Sequence, residues 1–342
     1  MRRLRIEWES RTPVVHDCFR AGRLLPSANG GNAYDVQAAW ALAGFHDVTV
    51  SQQSYRRPGE GMLSYWSRLR RIRTSAQVVV REPFPVVFGR FSAGVKYIAM
   101  IHHIDDRLER KSVWHRWYFS RLKKRLAALD LVVTVSDYWA GYLRSLGCRN
   151  VRVIHNSFDP SHYRATAESV SGFRAKFGLA ADRPVVYIGN ASRQKGVHKV
   201  YEALKDQGYL LVMSGPRNDA SDLPVRYLSL EREDYLLLLQ SCDAVICMSE
   251  MKEGWNRIAH EAMLCGTPVA GNGAGGMLEL LEGGRQAVVG DPAELPGIVR
   301  QLLARREQYA ADGRSFAERF NLDYFRSSWL TAVESLFQPP LD

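Results

Sequence analysis

Two glutamates eight positions apart, Glu253 and Glu261, lie in the stretch of this sequence best suited to do chemistry. They belong to Ser249–Val269, which follows the apolar run Ala244–Cys247. The pattern predicts a helix from near Trp255 to Gly266, with Pro268 just past its end, where helices stop. Ile258, Ala262 and Cys265 recur at helical spacing, and Glu261 projects from that same apolar face. A carboxylate there is costly unless it gains partners. Glu253 precedes the helix, beside backbone N–H groups that favour negative charge. The spacing thus sets two carboxylates at one end of a helix whose N-terminus can also hold a phosphate. Carboxylates accept hydrogen bonds from vicinal hydroxyls such as those of a ribose or a hexose. The structural alternative is that Glu253 caps the helix and Glu261 meets a buried arginine. The residues alone leave both open.

Such residues need elements to position them. Short β-branched and apolar runs recur, each followed by a turn signal and a helical pattern. Val48–Val50, Val78–Val80, Tyr97–Ile101, Leu131–Val135 and Val151–Ile154 form one series. Val185–Ile188, Tyr209–Met213, Ala244–Cys247 and Pro268–Ala270 form a second. The segments between them read as helices, among them Asn32–Ala43, Val197–Asp206 and Trp255–Cys265. Buried strands alternating with helices predict two α/β domains with parallel sheets. The expected division is 1–160 and 161–315, joined through a polar helix (Glu168–Phe177) and Ala181-Asp182-Arg183-Pro184. A further helix over about 316–338 would pack back on either domain, and the division adopted assigns it to the first. Ligands bind at the carboxyl ends of parallel strands, so the expected site is a cleft where the two sheets face each other.

Composition narrows the function classes. The chain has 342 residues, enough for two cores. Its opening, MRRLRIEWES, has no apolar stretch behind the basic residues, so no secretory leader is expected. No run approaches the length needed to cross a bilayer. Five scattered cysteines without a C-x-x-C pair point to a reducing, cytoplasmic setting and away from zinc or disulfides. The net charge of +10 is one-sided: residues 1–160 hold 26 Lys and Arg against 13 Asp and Glu. That half has an anionic partner, or it simply presents a solvated basic surface. Tyr65–Arg73 and Trp114–Arg125 mix aromatics with Arg and Lys at helical spacing. The pattern suits a helix resting on an anionic membrane, and equally core aromatics with a solvated basic back. Stacking on nucleic acid is also compatible with it, but no nucleic-acid partner is expected.

The spacing of Glu253 and Glu261 matches the E-x7-E motif of retaining GT-B glycosyltransferases, and EGWNRIAHEAMLCGTPV resembles the version found in family 4, the group 1 glycosyl transferases. Three further segments resemble that family in the same order. They are PSANGGNAYDVQAAWALAGFHDVTV from Pro26, VVTVSDYWAGYLRSLGCRNVRVIHNSFDP from Val132 and VVYIGNASRQKG from Val185. The resemblance implies two Rossmann-like domains, the C-terminal one holding a nucleotide-diphosphate sugar of UDP or GDP type. It implies that Glu261 binds ribose hydroxyls and Glu253 binds donor-sugar hydroxyls. Backbone amides of Gly254, Trp255 and Asn256 would approach sugar and diphosphate, with Arg257 beside them. Lys195, between Gly189 and Gly196 of the VVYIGNASRQKG segment, would neutralise the departing diphosphate. Gly30 and Gly31 match a loop reaching over the diphosphate, and His102, with His103 as alternate, matches a residue touching the donor sugar. No metal and no cofactor are implied. The acceptor would be a glycan, a lipid-linked molecule or a small molecule, met at the inner face of a membrane. Two departures stand out. Asn190 replaces the family's usual Arg, leaving Arg193 to compensate or the protein catalytically impaired. Asn256 replaces a usual Gly, which a backbone amide tolerates. A sugar-nucleotide epimerase of similar architecture is the other enzyme class weighed.

Overall fold

The computed structural model describes residues 3–338 apart from 29, 180 and 181, and of residue 106 it describes the backbone alone. Ala181, expected at the approach to the second series, lies outside them. The chain forms two compact units: Met1–Ser157 with Leu322–Asp342, and Phe158–Asn321.

The first unit opens with β1 (Arg5–Glu9), α1 (Pro13–Ala21), α2 (Gly30–Ala43) and β2 (Asp47–Val50). It continues through α3 (Met62–Arg71), β3 (Val78–Arg81), α4 (Pro83–Phe88) and β4 (Lys96–Ile101). It then runs through α5 (Asp106–Lys111), α6 (Val113–Leu126), β5 (Leu131–Thr134), α7 (Asp137–Ser145) and β6 (Val151–Val153). The six strands pair in the order β2-β1-β3-β4-β5-β6, each pair parallel. The runs VVVR of β3 and LVVT of β5 are buried throughout, as strands covered on both faces must be.

β1, which lies between β2 and β3 in this sheet, was not expected. Its sequence RIEWE alternates charged with apolar residues and has none of the continuous hydrophobicity of its neighbours. Tertiary pairing decides the matter: Glu9 is buried and takes a bidentate hydrogen bond from the equally buried Arg81 at 2.8 and 3.1 Å. Burial still outweighs that partner and pushes the Glu9 carboxyl above its ordinary range.

The second unit holds α8 (Ala167–Lys176), β7 (Val185–Asn190), α9 (Val197–Leu204), β8 (Leu210–Ser214) and β9 (Arg226–Leu228). Next come α10 (Arg232–Ser241), β10 (Ala244–Cys247), α11 (Arg257–Leu264) and β11 (Val269–Gly271). It ends with α12 (Met277–Gly283), β12 (Ala287–Val288), α13 (Leu295–Ala304) and α14 (Arg306–Ala317). Its sheet order is β12-β11-β10-β7-β8-β9, also parallel. The short strands β9 and β12 are too brief to show a period and were likewise not expected. The chain winds from β7 to one edge and then returns to β10 on its other side. The strand order therefore reverses between β7 and β10, as it does between β1 and β3 in the first unit. Crevices at such reversals are where open α/β sheets bind ligands.

The expected terminal helix from Phe316 is two helices. α14 packs on α11 in the second unit, and α15 (Leu322–Glu334) packs on α2 in the first. Trp329 and Phe325 of α15 are fully buried, with Tyr34 of α2 edge-on to Phe325 at 5.0 Å. Among the described residues no helix is long and apolar enough to cross a membrane.

Candidate active site

β7 ends in a bend. Gly189 takes a φ of +107°, and the register against β8 shifts between Tyr187 and Asn190. A single 3-10 turn, Arg193–Lys195, follows and is closed by Gly196 in the left-handed region (φ 71°). A Cβ on Gly196 would stand 1.9 Å from the Met248 carbonyl oxygen, so only glycine lets this turn lie against the end of β10. The Glu250 N–H donates to the Gln194 carbonyl at 2.8 Å and joins the two loops. The consequence is an ion pair: Lys195 Nζ donates to Glu253 Oε1 at 2.6 Å.

Glu253 is held by its backbone as well. Its N–H donates to Ala274 O at 3.0 Å, and its carbonyl accepts from Gly276 N at 2.9 Å. Gly275 crosses it so closely that a Cβ there would lie 2.4 Å from the Glu253 oxygen. The Glu253 side chain is 9% exposed and that of Lys195 30%, so the pair opens to solvent on the lysine side. Beneath it, burial and then the Glu253 charge push the Cys247 thiol up to about 12, against the opposing pull of Lys195.

α11 begins where Asn256 Oδ1 accepts from the Ala259 N–H at 3.0 Å. Asn256, the residue that departs from the family's glycine, thus gives the helix a side-chain cap. Gly266, at φ 72°, ends it: its N–H reaches Met263 O and that of Thr267 reaches Ala262 O, each at 2.9 Å. The helix is shorter at its start than Trp255 implies, and its buried surface is wider than one stripe, taking in every residue from Ala259 to Leu264. Ile258, expected on the apolar face, is only half-buried.

Glu261 is buried and finds an arginine. Its Oε1 accepts from Arg232 Nη2 at 2.6 Å and from the Tyr163 hydroxyl at 3.3 Å. Arg232, itself 53% exposed, also donates to the Tyr163 oxygen at 2.8 Å. Burial lowers the affinity of Arg232 for its proton, but the Glu261 charge and hydrogen bond more than reverse this and raise its pKa. Burial, then the Glu261 charge, raises that of Tyr163. Arg257 stacks over the Phe158 ring at 4.6 Å; burial lowers its pKa, and Glu261 opposes that shift. The Trp255 indole turns inward and donates to His260 Nδ1 at 2.9 Å, while His260 Nε2 lies 3.1 Å from Ala317 O. His260 therefore carries its proton on Nε2 and is part of the core.

Lys195, Gly196 and Glu253 thus meet at the carboxyl ends of β7 and β10, and Gly254, Asn256, Arg257 and Glu261 follow Glu253 into α11. Arg193 is directed elsewhere, its backbone N–H and Nε donating to Asp219 at 2.9 and 3.0 Å and its Nη2 lying 3.8 Å from Asp222. Asn190, at the end of β7, has its Oδ1 buried with no hydrogen-bond partner among the described residues. In the first unit, Gly30 and Gly31 are not a loop: they are the first residues of α2. A helix's first turn tolerates glycine because its N–H groups have no intrahelical partners to lose. His102 and His103 both follow β4. His102 Nε2 lies 3.2 Å from Asp35 Oδ1, and His103 lines a separate cavity. Asp35, Glu82, Tyr163 and Arg232 escaped the sequence reading. The only signal available for Asp35 was a carboxylate within the buried pattern of α2.

The fold matches solved glycosyltransferase structures of GT-B type. It superposes on sucrose-phosphate synthase from Thermosynechococcus elongatus with a TM-score of 0.75 at 20% identity, covering 98% of this chain and 99% of that one. It superposes on HepE from Anabaena in complex with UDP-glucose with a TM-score of 0.74 at 20% identity, covering 97% and 100%. Among curated proteins it is 26% identical to a 2-deoxystreptamine glucosyltransferase of Streptomyces kanamyceticus, over 45% of this chain and 46% of that protein. It is 24% identical to the N-acetyl-alpha-D-glucosaminyl L-malate synthase of Bacillus anthracis, over 76% and 73%. The chain spans about half the length of several curated relatives it matches. Residues 25–162 match the model for Glycosyltransferase Family 4, and residues 173–313 match that for Glycosyl transferases group 1. With most of its length covered by these two models in sequence, the chain belongs to glycosyltransferase family 4, with a GT-B fold.

Proposed function

We propose that this protein transfers a sugar from a nucleoside-diphosphate sugar to an acceptor hydroxyl, with retention at the anomeric carbon and without a metal ion. The observation that carries the reading is the Lys195–Glu253 pair at the β7/β10 reversal, one loop from the N-terminus of α11. In the transfer, the bond from C1 to the diphosphate oxygen breaks, and the bond from C1 to the acceptor oxygen forms on the same face. The acceptor proton passes to the leaving phosphate. Negative charge builds on that phosphate, and a fixed ammonium beside a helix N-terminus stabilises it as a metal would elsewhere. Glu253 takes sugar hydroxyls, Glu261 takes ribose hydroxyls, and the amides of Gly254, Trp255 and Asn256 meet the diphosphate and sugar. UDP is the first donor nucleotide to test, because HepE was solved with UDP-glucose. The acceptor is a glycan, a lipid-linked molecule or a small molecule, and the basic helices of the first unit bring the protein to the inner face of a membrane.

A thermal-shift series with UDP, GDP and their sugars tests the donor site, since a ligand that binds only the folded state raises Tm. Stabilisation by one base series and release of its nucleoside diphosphate from the sugar are expected. No shift with any of them sinks the reading. A second reading, a sugar-nucleotide binder without turnover, has one observation behind it: Asn190 replaces the family's arginine, and Arg193 is held by Asp219. Donor binding without diphosphate release, with a range of acceptors present, is its signature.

A further inference from the structure

The first unit holds a cavity of about 900 Å3 over the carboxyl ends of β1, β3 and β4, beside its own strand reversal. Arg11, Glu82 and His103, which follow those three strands, line it at the sheet end. The rest of the wall is mostly apolar, with Asp105 and His115 as its other polar members, and comes mainly from α3, α4, α5 and α6. Trp66, Phe88, Trp114 and Trp117 are among its seven aromatic members. Trp66 stacks on Phe88 at 4.5 Å and touches Trp114 and Trp117 at 6.0 and 6.4 Å.

This wall does not close on itself. Leu63 is 76% and Trp114 65% exposed, and both line the cavity. The Trp66 indole N–H, in contrast, is buried and has no acceptor among the described residues. Exposed apolar groups clustered at the mouth of a cavity mark a binding surface rather than a finished core. Two of these helices, α3 and α6, set the charge around it, while Glu109 of α5 is paired with Lys123 of α6 at 2.8 Å. Neither α3 nor α6 contains an acidic residue, while Arg70, Arg71, Arg116 and Lys124 are exposed on them. An apolar cavity within a positive field fits an occupant with a hydrocarbon body and an anionic head. A second copy of this chain would bring the same positive surface to the contact and be repelled.

We propose that this cavity seats the hydrocarbon chain of an anionic amphiphile, which on the reading above is the acceptor, with its head group on the surrounding arginines. The proposal rests on the glycosyl-transfer reading only for the word acceptor. The test is isothermal titration of the full chain with monomeric dodecyl phosphate below its micelle concentration. Dodecyl maltoside, inorganic phosphate and a short single-stranded oligonucleotide form the other arms. Saturable one-to-one binding of dodecyl phosphate is expected, at least ten-fold tighter than dodecyl maltoside or phosphate. L63S/W114S should weaken it at least ten-fold, and R70E/R71E at least five-fold. These four positions are exposed or border solvent, so the variants keep the fold, and an unchanged UDP-induced Tm shift checks this independently. Failure to bind dodecyl phosphate, binding indifferent to L63S/W114S, or tighter binding of the oligonucleotide overturns the proposal. A missing nucleotide shift in the unsubstituted protein, with chain binding intact, overturns the donor reading instead.

Discussion

Lys195 and Glu253, 58 positions apart in the chain, hold each other at 2.6 Å across the reversal of the second sheet. The cation meant for a leaving phosphate and the carboxylate meant for a sugar hydroxyl thus keep one another in place before any donor arrives. A pair held this way is pre-organised, and removing one member removes charge stabilisation at the moment it is needed. Lys195→Ala should lower kcat about 10²–10³-fold, by analogy with the loss of a single fixed charge-stabilising donor. Nucleoside-diphosphate release, followed under saturating sugar donor, measures it. A kcat within a factor of three of the parent would remove Lys195 from the chemistry.

Arg232 neutralises Glu261 from a half-exposed position. Arg232→Ala leaves a buried carboxylate with Tyr163, among the described residues, as the remaining hydrogen-bond donor at that oxygen. A fully buried pair broken on one side costs about 3–5 kcal/mol, and solvent access at Arg232 should reduce this to about 1–3 kcal/mol. Urea unfolding of R232A, E261A and the double variant forms a cycle. The double variant should be less destabilised than the sum of the singles. Strict additivity would show that the two do not interact.

Gly196 tests the turn that carries Lys195. Gly196→Ala meets both a left-handed backbone and the Met248 carbonyl, whereas Gly208→Ala meets the same backbone region (φ 77°) in open space. The open site should cost about 1–2 kcal/mol. Gly196→Ala should cost clearly more and lose the donor-induced Tm shift as well. Equal effects from the two substitutions would mean that the close approach to β10 is unimportant.

Glu82 supplies a pH dependence. Burial, and then the charge of the neighbouring Asp35, push its carboxyl up to about 8 from the ordinary 4.5, although the Arg11 N–H donates to it at 3.0 Å. Between those values the folded state holds one proton more than the unfolded chain. Its contribution to stability is therefore full below pH 4.5, falls as pH rises and is lost through pH 8. Glu82→Gln cannot titrate, so its urea midpoint should fall less between pH 5.5 and pH 8.5 than that of the parent. Parallel curves would place the Glu82 carboxyl in its usual range.

Much of this architecture is legible in one dimension. Continuous apolar runs such as VVVR and LVVT announce buried parallel strands, because a strand covered on both faces has no polar side to show. The helix around Glu261 announces itself by period and by Gly266. The strand β1 does not, because its buried Glu9 is tolerable only with Arg81, and that partner arrives from 72 positions away. The two histidines after β4 are equivalent in sequence and separate in space, one at Asp35 and the other at the cavity.

What the sequence determined by itself was the alternation of strands and helices, the order of the motifs, and the need of Glu261 for a partner. Those follow from periodicity and from the cost of burying charge, which are local properties of the chain. Only the tertiary structure decided that the partner is Arg232, that Arg193 belongs to Asp219 rather than to the pair at Glu253, and that seven aromatic side chains of the basic half border a cavity. Each of those depends on which distant segments share a sheet edge. The strand order decides that, through hydrogen bonds every backbone can make equally well.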